Sequence, residues 1–209
     1  MPVLRFRVRG VPVAVEPGFW LATLVLAPDL FSAPARLPLW IAVAFASVLL
    51  HELGHAWMLQ RFRHRPSITL TMMGGQAQAA SRGLSALGDV YVSLAGPLAG
   101  FVVGVPLLVA LVVAPGLADV PVLGVVLTDL VMVNLGWGLL NLLPILPLDG
   151  GQALDALLRR AGIADAAART RQVSIGVAAA GAALALVLGA WDLVLMGGAL
   201  AAYNAKAAR

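Results

Sequence analysis

Long apolar segments dominate this sequence, and they restrict its fold more than any other feature. Hydrophobic residues make up 61% of the 209 positions and charged residues only 11%, against roughly 45–50% and about 25% in soluble domains. The mean hydropathy is +0.94. A soluble domain of this length cannot bury so much apolar surface, so most of the chain must lie in a lipid bilayer.

Six apolar stretches approach the length that a helix needs to cross a bilayer. The last apolar region is predicted to turn near Gly189 and to form two short helices rather than one long helix. We therefore predict an all-α polytopic membrane protein that forms a single domain over residues 1–209. Its predicted helices cover residues 19–31, 37–62, 90–113, 122–143, 173–189 and 192–205.

The basic residues indicate how these helices are oriented. Loops rich in arginine alternate with loops that have little or none, and the rich loops of a membrane protein lie in the cytoplasm. Six helices place both termini and every rich loop on that side, whereas five would place Lys206 and Arg209 outside. We expect a multi-pass protein of a prokaryotic cell membrane with both termini cytoplasmic.

The overall charge and the absence of cysteine exclude other classes of site. The formal net charge is +4, but no basic stripe is interleaved with aromatic residues, so we expect no nucleic-acid partner. The chain has no cysteine, which excludes disulfides and thiolate metal ligands. The N-terminal segment lacks the continuous apolar run and the small-residue cleavage site of a signal peptide.

The motif HELGH lies inside the second apolar stretch and predicts a metal centre. His51 and His55 are four residues apart, so they share one face of a helix and can bind one Zn²⁺ together. Glu52 is adjacent to the first ligand and can deprotonate a water that zinc makes more acidic. Charged and imidazole side chains are costly in a membrane helix and usually mark a function there.

A zinc peptidase needs a third protein ligand, and Asp149 is the best candidate. The predicted topology places it at the cytoplasmic end of the fourth helix, at a depth similar to that of His55. Pro144 and Pro147 interrupt the helix before it, and irregular backbone at membrane depth is tolerated where it lines a cavity. A turn or helix-capping aspartate is the alternative interpretation. Asp89, which begins the third helix on the same side, remains a second candidate.

Two further features are open to alternative interpretations. Asn141 is a candidate catalytic residue that could donate to an oxyanion, or it could only hydrogen-bond a neighbouring helix. Residues 67–80 alternate apolar and polar side chains before Gly74 and Gly75, which is typical of a β-hairpin. We predict a small hairpin after the second helix, which could pair with an unwound substrate strand or act as a plain connector.

At these residues the chain resembles the site-2 protease family of intramembrane zinc metalloproteases, peptidase family M50. The resemblance rests on HELGH at 51–55 and NLLPILPLDGG at 141–151, with GGQAQA and SLAGPLAG as supporting segments. It implies one zinc ion per chain, with His51, His55 and Asp149 as ligands, Glu52 as catalytic base and Asn141 near the substrate. It also implies a short form, because 209 residues leave no room for a PDZ domain or CBS domains.

The family cuts transmembrane segments of membrane-bound regulators or signal-peptide remnants, so the resemblance implies a membrane-protein substrate. Where relatives often carry an asparagine in the third helix, this chain has Gly100 or its neighbour. The spacing of Gly96, Gly100 and Gly104 favours close helix packing there.

Two other functions use the same residues. A membrane metal-ion transporter or sensor also places histidine and acidic side chains in the bilayer, although the polar groups here cluster at one end of the predicted bundle. An inactive scaffold would not need Glu52. The sequence leaves the oligomeric state open.

Overall fold

The computed structural model describes residues 4–27, 32–72, 74–79 and 83–207. The strands of this part are β1 (Leu4–Val8), β2 (Val11–Val15), β3 (Pro66–Thr71) and β4 (Gly74–Ala79). The helices are α1 (Pro17–Val25), α2 (Leu37–Arg61), α3 (Ala86–Val113), α4 (Leu123–Val131), α5 (Gly138–Asn141), α6 (Asp149–Arg160), α7 (Ala166–Val187) and α8 (Trp191–Ala207). A π-helical segment, Met132–Trp137, joins α4 to α5. The chain divides into a first unit, residues 1–83 with 95–139, and a second unit, residues 84–94 with 140–209.

A four-stranded sheet in the order β1-β2-β3-β4 lies in the first unit. β1 and β2 form one antiparallel pair, β3 and β4 form another, and β2 runs parallel to β3 between them. The prediction of one hairpin was therefore incomplete, since the N-terminal strands double the sheet. Their signal was the alternation in VPVAV, where Val11, Val13 and Val15 are buried, as expected of a strand with one face in the core.

The buried face of the sheet packs against the C-terminal half of α2. Leu53 and Ala56 of α2 share one core cluster with the valines of β2 and with Ile68 and Leu70 of β3. Phe45 stacks on Trp20 with ring centroids 5.4 Å apart, which links α1 to α2. This packing therefore fixes the position of the part of α2 that contains the HELGH motif.

Small residues let α3 approach its neighbours closely within the first unit. A Cβ at Gly54 of α2 would lie 2.9 Å from Ala99 of α3 and would overlap the carbonyl of Ala95. A Cβ at Gly100 would lie 3.0 Å from the backbone oxygen of Asn134. Gly100 therefore lies directly against the π-helical segment, which is the kind of close packing that its spacing predicts.

Four segments of the described chain are long and apolar enough to cross a bilayer. They are Pro34–Arg61, Ala86–Val113, Leu123–Asn141 and Ala166–Val187. The first predicted span, 19–31, corresponds to the nine-residue helix α1, and its residues 28–31 lie outside the described residues. The C-terminal region forms two helices that separate near Gly189, which has a φ of +73°. The count of six spans stays a prediction.

In the second unit, α7 packs against both α6 and α8. Gly197 of α8 lies closely against α7, since a Cβ there would lie 3.0 Å from Cβ of Ala182. Arg159 of α6 donates to Asp89 and to Asp155 at 2.9 Å each. The carboxylates of Asp89 and Asp155 raise the pKa of Arg159. This exposed ion pair connects α6 to the beginning of α3.

We expect Ile68→Ala to destabilise the first unit, because Ile68 is only 1% exposed at the centre of the sheet core. Replacing a buried isoleucine by alanine costs about 2–5 kcal/mol through lost burial and the cavity left behind. Thermal unfolding of the purified protein in detergent measures the change. Val102→Ala in α3 is the control, since Val102 is 74% exposed; equal midpoints for the two variants would contradict the proposed core.

Candidate metal centre

Three potential ligands, His51, Glu52 and His55, are buried together on α2. Their exposed fractions are 6%, 5% and 8%, although the surrounding helix is apolar. Both histidines lie on one face of the helix because they are one turn apart. Burying these polar groups is unfavourable unless they are bound by other polar groups or a cation. Their burial as a cluster therefore indicates a site rather than ordinary helix packing.

The two imidazole rings face each other through the same nitrogen. The Nε2 atoms of His51 and His55 lie 3.1 Å apart, and the ring planes are inclined at 75°. Two nitrogens bound to one tetrahedral zinc ion at 2.0–2.1 Å are about 3.3 Å apart. One ligand atom from each of the two histidines and Glu52 can be chosen so that all lie within 4.8 Å of one another. The separation of the two nitrogens is thus close to that expected for two ligands of one zinc ion.

Two glycines from other elements leave the space that this centre needs. A Cβ at Gly96 of α3 would lie 2.7 Å from Nε2 of His51 and would overlap Nε2 of His55. A Cβ at Gly75 of β4 would overlap the carboxylate of Glu52. The sequence pattern predicts helix packing at Gly96 and a hairpin at Gly75. Only their occurrence in SLAGPLAG and GGQAQA hinted at a role in the site.

The residues on α2 fit a zinc ion. Zinc prefers imidazole nitrogen, thiolate sulfur and carboxylate oxygen in tetrahedral sites. The cluster on α2 offers two imidazoles and one carboxylate. The space in front of both Nε2 atoms is the volume that a Cβ at Gly96 would fill. The His51, Glu52 and His55 group could therefore hold a metal ion.

The buried side-chain amide of Asn134 contacts α2 one helical turn before His51. Nδ2 of Asn134, in the π-helical segment, donates to Oγ of Ser47 at 2.9 Å and to the backbone oxygen of Leu130 at 2.9 Å. Ser47 precedes His51 by four residues on α2. A cavity of about 10 Å³ lies here, a volume at the lower limit for one water molecule. It is lined by Ser47, His51, Val133, Asn134, Trp137 and two glycines. The sequence carried no clear signal for this contact.

The other predicted site residues lie in the second unit. Asp149 is buried and is the first residue of α6, not its cap, because Leu148 occupies the cap position. Asn141 is partly buried at the C-terminal end of α5. Asp89, the alternative third ligand, forms its ion pair with Arg159. The roles of Asp149 and Asn141 at the metal stay predictions.

We expect Gly96→Ala to weaken zinc binding, because the added methyl group occupies the space between the two imidazole nitrogens. The affinity should fall by more than about tenfold, the smaller effect known for groups that orient metal ligands. Competition with a chromophoric chelator measures it.

Gly136→Ala is the matched control, since a Cβ at Gly136 meets no atom within 4 Å. Unchanged zinc affinity in Gly96→Ala would show that the metal does not lie between the histidines.

Comparison with known proteins gives a consistent set of relatives, although no known protein-family profile matches the chain. The chain is 28% identical over 158 residues to a zinc metalloprotease of Methanocaldococcus jannaschii, a match that covers 74% of this chain and 45% of that protein. It is 34% identical over 167 residues to a candidate zinc metalloprotease of Synechocystis sp., covering 71% and 42%. A further candidate, Rip3 of Mycobacterium tuberculosis, is 33% identical over 145 residues, covering 68% and 35%.

The chain therefore spans less than half the length of these curated relatives. Among solved structures, it is similar to the site-2 protease from Methanocaldococcus jannaschii, with a TM-score of 0.62 and 23% identity. That similarity covers 99% of this chain and 95% of the other. The two proteins share a fold.

Proposed function

Because this chain belongs to the site-2 protease family of zinc metalloproteases, we propose that it hydrolyses peptide bonds of membrane proteins within or beside the bilayer. The observation that carries the proposal is the buried pair of imidazoles 3.1 Å apart with Glu52 beside them. A helix buries two imidazoles and a carboxylate at such a cost only where they serve a site.

Each polar residue has a proposed role in this reaction. His51 and His55 supply two nitrogen ligands and Asp149 supplies the third, an oxygen. Zinc, when bound, supplies Lewis-acid chemistry that polarises a carbonyl group and makes water more acidic. The carboxylate of Glu52 takes a proton from the attacking water and passes it to the nitrogen of the leaving amine. The side-chain amide of Asn141 donates to the substrate oxygen as negative charge develops there.

The proposed substrates are transmembrane segments of membrane-bound regulators or signal-peptide remnants. A helix hides its peptide carbonyls, so the substrate must be unwound before cleavage, and an added strand would hold it open. β4 supports this mode, because it is the last strand of the sheet and Gly75 within it lies directly against Glu52. The proposed orientation has six spans and both termini in the cytoplasm.

We expect Glu52→Gln to keep one zinc ion per chain but to lose cleavage. Loss of a general acid–base group lowers the rate by about 10²–10⁴-fold, while both histidines remain. Metal analysis of the purified protein and cleavage of a model transmembrane substrate measure the two properties.

Glu16→Gln is the matched control, since Glu16 lies before α1 and outside the cluster. Cleavage at the unmodified rate by Glu52→Gln would remove Glu52 from the reaction. Zinc flux into liposomes without any cleavage would favour a metal transporter instead.

We expect Asp149→Ala to lower the zinc affinity, because an oxygen ligand is lost. The loss should exceed the 10–100-fold that is typical of groups that only orient a ligand, so we expect more than about 100-fold. Chelator competition measures it, with Asp119→Asn as the control, since Asp119 is exposed beyond α3. Equal affinities for Asp149→Ala and the control would exclude Asp149 as a ligand.

A further inference from the structure

The turn that leads into Asp149 is held by two side chains from the C-terminal helices. The backbone N–H of Leu146 donates to Oγ of Ser174 in α7 at 3.0 Å. The backbone carbonyl of Leu146 accepts from Nδ2 of Asn204 in α8 at 2.7 Å. Both backbone polar groups of one residue, three positions before Asp149, are therefore satisfied by side chains distant in sequence. All four residues lie in the second unit.

Ser174 and Asn204 are among the most deeply buried polar residues of the described chain. Ser174 is 0% exposed and Asn204 is 1% exposed, each on a largely apolar helix. Buried polar groups are unfavourable unless they are hydrogen-bonded. Oδ1 of Asn204 has no hydrogen-bond partner among the described residues, while both its amide hydrogens are used, on Leu146 and Leu200. The position therefore favours a side chain that donates to Leu146.

The turn and the beginning of α6 form one tightly packed segment. The N–H of Leu148 donates to the carbonyl of Ile145 at 2.8 Å. A Cβ at Gly150 would overlap the backbone of Leu142, and one at Gly151 would lie 2.5 Å from the backbone of Leu146. Because no space separates the turn from the first turn of α6, a shift of Leu146 must move Asp149 as well.

We propose that Ser174 and Asn204 are positioning residues for Asp149 as a zinc ligand, an inference that rests on the proposed function. A ligand carboxylate binds tightly when its backbone is already held in the bound geometry. Ser174 and Asn204 supply this restraint, because Ser174 accepts from the N–H of Leu146 and Asn204 donates to its carbonyl. The helices α7 and α8 thus contribute to metal affinity although neither carries a ligand.

The test measures zinc affinity of the full chain in detergent by chelator competition. Ser174→Ala and Asn204→Ala should each bind zinc about tenfold more weakly, the lower end of the effect of groups that orient ligands. Thr170→Ala is the matched control. Thr170 lies one turn before Ser174 and is 0% exposed, and its hydroxyl donates to the backbone oxygen of Ala166 in its own helix. Loss of the Thr170 hydroxyl should leave the zinc affinity unchanged.

A second measurement separates positioning from general stability. If Ser174 acts through Asp149, Ser174→Ala should have no further effect on zinc affinity in the Asp149→Ala background. An equal loss in both backgrounds would overturn the proposal. So would weakened binding in Thr170→Ala, because general loss of structure then explains the result.

Failure of Asp149 as a ligand and failure of the positioning role give different results. Unchanged affinity in Asp149→Ala removes the third ligand, and the proposed function fails in that part. A loss in Asp149→Ala with unchanged affinity in Ser174→Ala and Asn204→Ala leaves the ligand in place and removes only the positioning role.

Discussion

The unfavourable burial of two imidazoles and a carboxylate in an apolar helix is the constraint on which the rest of the first unit depends. His51, Glu52 and His55 are each less than 10% exposed, and buried polar groups need polar partners or a cation. Elements that pack on this face must therefore leave space for a cation instead of filling it with side chains. The sheet, α3 and the π-helical segment are all arranged around that requirement.

Glycines in the surrounding elements leave the space that these polar groups need. Gly96 and Gly75 present bare backbone to the histidines and to Glu52, and Gly54 allows the backbone of α3 to approach α2. Small residues also let the backbones of membrane helices approach each other closely. Close packing and an open metal site are therefore produced by the same small residues, which is why their spacing alone does not separate the two roles.

In the second unit, the buried polar groups that need partners belong to the backbone. A turn interrupted by Pro144 and Pro147 cannot satisfy its polar groups through a regular helix. Ser174 and Asn204 bond Leu146 instead, and this gives a physical reason for two deeply buried polar residues on helices that are otherwise apolar. Irregular backbone and its polar partners thus occur together, as they must where water is scarce.

Local and short-range features could be predicted from the sequence. The approach of His51 to His55 follows from a four-residue spacing on any helix, and the bilayer-length segments follow from composition. The hairpin of β1 and β2 is local, since Val8 pairs with Val11, and its alternating valines were a signal that the prediction did not use. The pairing of β2 with β3, as in Val13 with Ile68, joins positions more than fifty residues apart and has no local period. The contacts of Gly96 with the histidines, of Asn134 with Ser47 and of Asn204 with Leu146 likewise join distant positions. The sequence by itself determined that His51, Glu52 and His55 can hold a metal ion together, because their spacing fixes their relation on one helix. The tertiary structure decided which glycines and amides surround them, because that depends on how helices pack and not on the order of residues within any one helix.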